Sequence, residues 1–99
     1  MEQVRLGIIG IGNMGSGHAK NVVEGKVPGM VLTAVADVRE VRRQWAAKEL
    51  PETVTVFENA EGLLDSGLVD AVLVATPHYI HPDLTIQALQ RDLHVMCEK

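Results

Sequence analysis

The sequence predicts a doubly wound α/β domain, a parallel sheet in the order 3-2-1-4-5 with helices on both faces. Short apolar runs rich in β-branched residues alternate with amphipathic stretches along the whole chain, at a spacing that implies right-handed crossovers between parallel strands. The first apolar run also ends in a cluster of glycines set directly before an amphipathic stretch. No repeat, linker or low-complexity segment interrupts the pattern.

Val4 to Ile9 is short, apolar and β-branched, and reads as a strand buried on both faces. From Met14 to about Gly25 a helix follows, with Met14, His18, Val22 and Val23 on one face and Lys20, Asn21 and Glu24 turned away. Val31 to Ala36 is the second strand. Arg39 to Leu50 is the second helix, with Val41, Trp45 and Leu50 inward and Arg42, Arg43 and Lys48 outward, and Pro51 stops it. Thr53 to Phe57 is the third strand, and Asn59 caps a short helix through Leu64. Ala71 to Ala75 is the fourth strand, ended by Thr76-Pro77. Pro82 suits the first position of a helix behind His81, with Leu84, Ala88 and Leu89 inward up to Arg91. His94 to Cys97 begins the fifth strand.

Composition narrows the function classes. Residues 1–99 fit one domain, long enough to bury about 60–70% of its unfolded surface. Hydrophobic residues at 46% and charged residues at 22% are values of a soluble globular chain. A net charge of -4 without a basic stripe argues against a nucleic-acid partner. No apolar stretch approaches the ~20 residues of a bilayer crossing, which argues against a membrane partner. Met1-Glu2-Gln3 lacks the basic flank and cleavage site of a signal peptide, so the expected compartment is the cytoplasm. Cys97 is the only cysteine, which excludes an intrachain disulfide and a cysteine-built metal site and makes a buried thiol the expected role. The four histidines have no metal-ligand spacing, and no metal is expected.

Gly10-Ile11-Gly12-Asn13-Met14-Gly15 is a G-x-G-x-x-G. Alone it is a weak signal, but its place after a buried strand and before a helix is the setting of a dinucleotide fingerprint. Gly10 would allow the tight turn, Gly12 the close approach of a pyrophosphate, and Gly15 the contact of helix with strand. The phosphates would lie on the N–H groups around Asn13 and Met14, where the helix dipole favours anions. Asp37, at the end of the second strand, stands where an acid accepts hydrogen bonds from the adenosine ribose. It also suits a turn or cap before the Arg39 helix, and the two uses are compatible. Asp37 favours NAD over NADP, because a 2′-phosphate would bring like charge close, while Arg39 is the group able to answer that phosphate. Methyltransferases that use S-adenosylmethionine share the glycine turn and the acid, so these two features leave the cofactor open.

The third feature lies in two later segments, Val74-Ala75-Thr76-Pro77-His78-Tyr79-Ile80-His81 and His94-Val95-Met96-Cys97-Glu98-Lys99. With them the chain resembles, over essentially its whole length, the N-terminal NAD(P)-binding Rossmann domain of the Gfo/Idh/MocA oxidoreductase family. In that family a Thr-Pro segment with a histidine four residues after the proline follows strand four, and strand five ends in Glu-Lys-Pro. A histidine three residues past the last glycine, here His18, also fits the pattern. Asn is common in the family where His78 stands, and the motif's final proline would follow Lys99. The resemblance implies that the Gly10 to Gly15 turn holds pyrophosphate and Asp37 the ribose. Thr76 and Pro77 would line the cofactor cleft, with Glu98 and Lys99 near the nicotinamide. It makes Lys99 the catalytic residue, acting on the substrate hydroxyl or carbonyl. A lysine there can donate a hydrogen bond to a carbonyl that is becoming an alkoxide.

His81 precedes Pro82 beside that cleft and is either a cofactor contact or a helix cap; His94 is expected at the surface and His18 as a packing residue. The resulting expectation is the cofactor domain of an oxidoreductase moving hydride between a nicotinamide and an alcohol or ketone, of a sugar or polyol by resemblance. A separate substrate domain, and a homo-oligomer formed through it, are expected beyond Lys99. Two rivals are a non-catalytic NAD-binding sensor or partner subunit, and an NAD-dependent hydrolase or lyase.

Overall fold

The computed structural model describes residues 3–75, 81–91 and 93–97. In chain order the elements are β1 (Val4–Ile9), α1 (Asn13–Val23), β2 (Met30–Ala36), α2 (Glu40–Glu49), β3 (Thr55–Phe57), α3 (Ala60–Leu64), β4 (Ala71–Val74), α4 (His81–Gln90) and β5 (His94–Cys97). They form one five-stranded sheet in the order β3-β2-β1-β4-β5, parallel at each pairing. This is the expected topology.

Alternation along the strands separates two cores. Leu6 and Ile8 of β1, Leu32 and Val35 of β2 and Ala71 of β4 pack with Ala19 and Val22 of α1, Ala46 of α2, Leu50 and Val54. Ile9, Ala34, Ala36, Val72 and Val74 face the other way, onto Leu63 and Leu64 of α3, Ala88 of α4 and Val69. Full burial of a Val, Leu or Ile is worth roughly 1.5–3 kcal/mol, so a central strand covered on both faces anchors the domain. The register jumps from Leu6 opposite Leu32 to Gly7 opposite Ala34, leaving Thr33 as an extra residue in β2. That bulge puts Leu32 and Val35 on one face although they are an odd number of residues apart. The Thr33 hydroxyl donates to the Leu68 carbonyl at 2.7 Å.

Element ends shift by one or two residues from the sequence reading. Helix α1 stops at Val23, and Gly25 turns the chain with φ 79°. Arg39 and Leu50 flank α2 as its caps, and the helix beyond Tyr79 starts at His81 itself. Asn59 caps α3 as expected, its side chain accepting from the Gly62 N–H at 2.8 Å.

The inward face of α2 departs further. Val41, expected inside, is 62% exposed, whereas Arg42 and Arg43, expected outside, are half-buried beside the buried Ala46. The aliphatic stem of an arginine can cover apolar surface, and at Arg42 the burial extends to Nε, which has no hydrogen-bond partner. Val23 and Leu89, also expected inward, are exposed, whereas Ala88 is buried as expected and Ala19 is buried in α1. Small residues allow the closer approach of helix to sheet. Across α1 and α2, Lys20 lies 6.0 Å from the Trp45 ring centre and 3.5 Å from the Glu49 carboxylate.

At the amino end of the sheet Arg5 grips Asp70 through Nε at 3.2 Å and a terminal nitrogen at 3.0 Å. The Arg5 side-chain hydrogen bonds hold the Asp70 carboxyl below its ordinary value. His94 is exposed, as expected. The thiol proposed for burial at Cys97 lies outside the described residues. Among the described residues no helix is long and apolar enough to cross a membrane.

Candidate dinucleotide site

The site grows from the carboxyl end of β1. Strand β1 leads through α1 to β2 on one side, and its other neighbour is β4, so the point between β1 and β4 is where the winding reverses. Open parallel sheets bind ligands in the crevice at such a point. Gly10 N–H donates to the Ala36 carbonyl and Ala75 N–H to the Ile9 carbonyl, both at 2.8 Å, which pins the turn between its two neighbours.

The three glycines of the turn differ in what they do. Gly10 has φ 92°, a conformation that L side chains rarely adopt. A Cβ on Gly15 would stand 1.9 Å from the Gly10 carbonyl oxygen, so α1 presses directly on the turn. A Cβ on Gly12 would meet nothing within 4 Å. Gly12 therefore leaves open space where Gly15 leaves none, the pattern of one glycine facing a ligand and one facing the fold. Helix α1 begins at Asn13 with Gly12 as its N-cap and no side-chain cap, and its first turn carries no acidic residue. Its first N–H groups are thus available to an anion. The side chains of Asn13 and Met14 lie outside the described residues.

Asp37 follows β2 and is fixed on every side. Its N–H donates to the Phe57 carbonyl at 3.2 Å. One carboxylate oxygen accepts from the Arg39 N–H at 2.8 Å, the turn role expected from sequence. The other accepts from the Ile11 N–H at 3.0 Å, across 26 positions of chain. Asp37 thereby ties the glycine turn to the β2–α2 turn. Ile11 gives this N–H and buries its side chain completely in the core under α1. Arg39 is exposed at the start of α2. Val38, beside the carboxylate, is 77% exposed.

Sequence reasoning missed the Asp37–Ile11 bond and the part played by Arg43. The Arg43 guanidinium donates to the carbonyls of Asp37 at 3.1 Å and Val38 at 3.0 Å. Its signal was present, since side chains on a helix slant toward the N-terminus and Arg43 stands one turn beyond Arg39. Thr76, Pro77, His78, Glu98 and Lys99 lie outside the described residues, as does the side chain of His81. Among the described residues no three His, Cys, Asp or Glu side chains gather to hold a metal.

Residues 4–99 match the family described as the oxidoreductase family with NAD-binding Rossmann fold, Gfo/Idh/MocA. The chain is 38% identical over 98 residues to an inositol 2-dehydrogenase of Arthrobacter sp. strain FB24, covering 99% of this chain and 28% of that protein. It is 37% identical over 97 residues to a scyllo-inositol 2-dehydrogenase (NAD(+)) of Bacillus subtilis strain 168, covering 98% of this chain and 28% of that one. Its fold superposes with a TM-score of 0.89, at 32% identity, on the crystal structure of scyllo-inositol dehydrogenase from Lactobacillus casei with bound NAD(H) and scyllo-inositol. That match covers 99% of this chain and 28% of the other. The glycine turn, the parallel order β3-β2-β1-β4-β5 and the match along residues 4–99 agree, and the chain belongs to the Gfo/Idh/MocA oxidoreductase family, through its NAD-binding Rossmann fold.

Proposed function

We propose that residues 1–99 are the cofactor domain of an NAD-dependent polyol dehydrogenase whose substrate is an inositol or a similar cyclic polyol. One observation carries the cofactor half of this reading: the Asp37 carboxylate stands bonded to Ile11 of a glycine turn whose middle glycine faces open space. Relatives named for inositols support the substrate half.

NAD, when bound, accepts the hydrogen removed from an alcohol carbon. The chain's own residues bind and orient. The N–H groups of Asn13, Met14 and Gly15 would hold the pyrophosphate, with Gly10 and Gly12 shaping its seat. Asp37 accepts from the ribose hydroxyls, and exposed Val38 offers the adenine an apolar surface. Thr76, Pro77, His81 and Glu98 would complete the cleft toward the nicotinamide, and Lys99 would take or return the proton at the substrate hydroxyl. A second domain beyond Lys99 supplies the polyol-binding surface. A chain with one cysteine suits a reducing compartment, and we assign the protein to the cytoplasm.

The full-length protein is expected to reduce NAD when given myo- or scyllo-inositol, followed by nicotinamide absorbance. Tight NAD binding without turnover of any polyol would overturn the dehydrogenase reading in favour of a sensor. Lys99→Ala is expected to lower kcat and kcat/KM together by about 10²-fold, with the NAD Kd unchanged, since a group that moves a proton acts in the transition state. Near-normal kcat with a raised KM would make Lys99 a binding residue instead.

A further inference from the structure

We infer that Arg43 is a positioning residue for the ribose-binding carboxylate, setting cofactor selectivity without touching the cofactor. The inference rests on the nucleotide reading of the Asp37 site.

Asp37 sits where β2 has ended and α2 has not begun, a stretch whose carbonyls no ladder or helix satisfies. Arg43 reaches back over one helical turn and gives the hydrogens of a single terminal nitrogen to two of them, Asp37 at 3.1 Å and Val38 at 3.0 Å. A planar guanidinium holding two carbonyls of adjacent residues fixes the peptide between them. That peptide carries the Asp37 side chain at one end and leads into the Arg39 N–H at the other. The carboxylate's two internal bonds, to Ile11 at 3.0 Å and Arg39 at 2.8 Å, both depend on the same short stretch holding its shape. Arg43 is half-buried, and its bond to the Asp37 carbonyl is partly shielded from water, while the bond to the Val38 carbonyl is exposed.

Without Arg43 the carbonyls are solvated and the turn relaxes. The carboxylate then loses alignment with the ribose hydroxyls, and NAD suffers more than NADP, which the aligned carboxylate repels. A purely structural arginine would weaken both cofactors alike. An arginine that served as the phosphate ligand would weaken NADP more than NAD. The direction in which the ratio moves therefore separates three roles.

The test measures NAD and NADP dissociation constants, with melting temperature, for the full-length protein, Arg43→Met and Arg43→Lys. Arg43→Met keeps the stem and removes the donors; it is expected to weaken NAD about tenfold and to reduce the NAD-over-NADP ratio by a similar factor. Arg43→Lys, with donors on a flexible stem, is expected to fall between it and wild type. If Arg43→Met does not fold, Arg43→Lys alone decides, a lowered ratio supporting the inference. An unchanged ratio, or a ratio that rises, overturns it. A wild-type protein that binds no NAD instead overturns the nucleotide reading and takes the inference with it.

Discussion

Gly15→Ala is expected to lower both the melting temperature and the affinity for NAD, whereas Gly12→Ala lowers the affinity alone. At Gly15 the added methyl carbon would stand 1.9 Å from the Gly10 carbonyl oxygen and 2.9 Å from its carbon, both backbone atoms with no rotamer to change. Ordinary contact requires α1 to withdraw by about 1 Å or more, and forcing extra volume into a packed contact costs roughly 1–3 kcal/mol. In a domain of this size that is a fall of roughly 5–20 °C. The same displacement moves the N–H groups of the first turn from the anion they would hold, so NAD affinity is expected to fall together with the melting temperature. At Gly12 the methyl meets nothing within 4 Å and φ is -72°, open to any L residue. Stability should change by less than about 1 kcal/mol, the scale of an N-cap replacement. In the proposed site the methyl would fill space that the pyrophosphate needs. Paired thermal melts and NAD titrations separate the two. An unchanged NAD affinity in Gly12→Ala would remove the turn from the cofactor site, and an unchanged melting temperature in Gly15→Ala would show that the helix does not bear on Gly10.

What could be read from the sequence followed from how many neighbours dictate a residue. Strands β1 and β4 read as apolar runs because their central residues are covered on both faces, and β1 falls where its run does. The glycine turn was legible because its residue types answer local backbone demands, such as φ 92° at Gly10. Helix α2 was not. Its apolar residues are few, and Trp45 is compatible with more than one rotation, so the pattern could not tell that Val41 would face solvent and the Arg42 stem would not. The bond from Asp37 to Ile11 was illegible for another reason. It joins residues 26 positions apart, and only the pairing of β1 with β2 brings them together. The turn role of Asp37, two residues from Arg39, was local and so was foreseen.

Wild-type protein is expected to bind NAD 10- to 100-fold more tightly than NADP, and Asp37→Ser to lose most of that preference. Charge-assisted hydrogen bonds from two ribose hydroxyls to the carboxylate contribute ~1.5–3 kcal/mol each. A 2′-phosphate removes one and places like charge nearby, at a cost of ~4 kcal/mol per charge pair at about 4 Å and an effective dielectric near 20, before screening. Two arginines lie close enough to oppose this. Arg43 is committed to the carbonyls of Asp37 and Val38, and exposed Arg39 would have to be ordered before it could meet a phosphate. After those discounts a net ~1.5–3 kcal/mol remains, which is the stated range. The carboxylate already accepts one backbone N–H at each oxygen, and in the proposed site its remaining lone pairs would be available to the ribose. Serine keeps an oxygen able to accept from the Arg39 N–H, but its shorter side chain cannot also span to the Ile11 N–H. The mutant therefore keeps its turn and loses both the ribose acceptors and the tie to the glycine turn. Loss of two such bonds amounts to ~3–6 kcal/mol if additive, and bonds that act as a unit fall short of their sum, so NAD should weaken by on the order of 10²-fold. NADP, relieved of repulsion, should weaken far less, closing the gap to about threefold or less. Dissociation constants of both cofactors for wild type and Asp37→Ser test this directly. If both cofactors weaken equally, the Asp37 carboxylate is a strut between Ile11 and Arg39 and some other group reads the ribose.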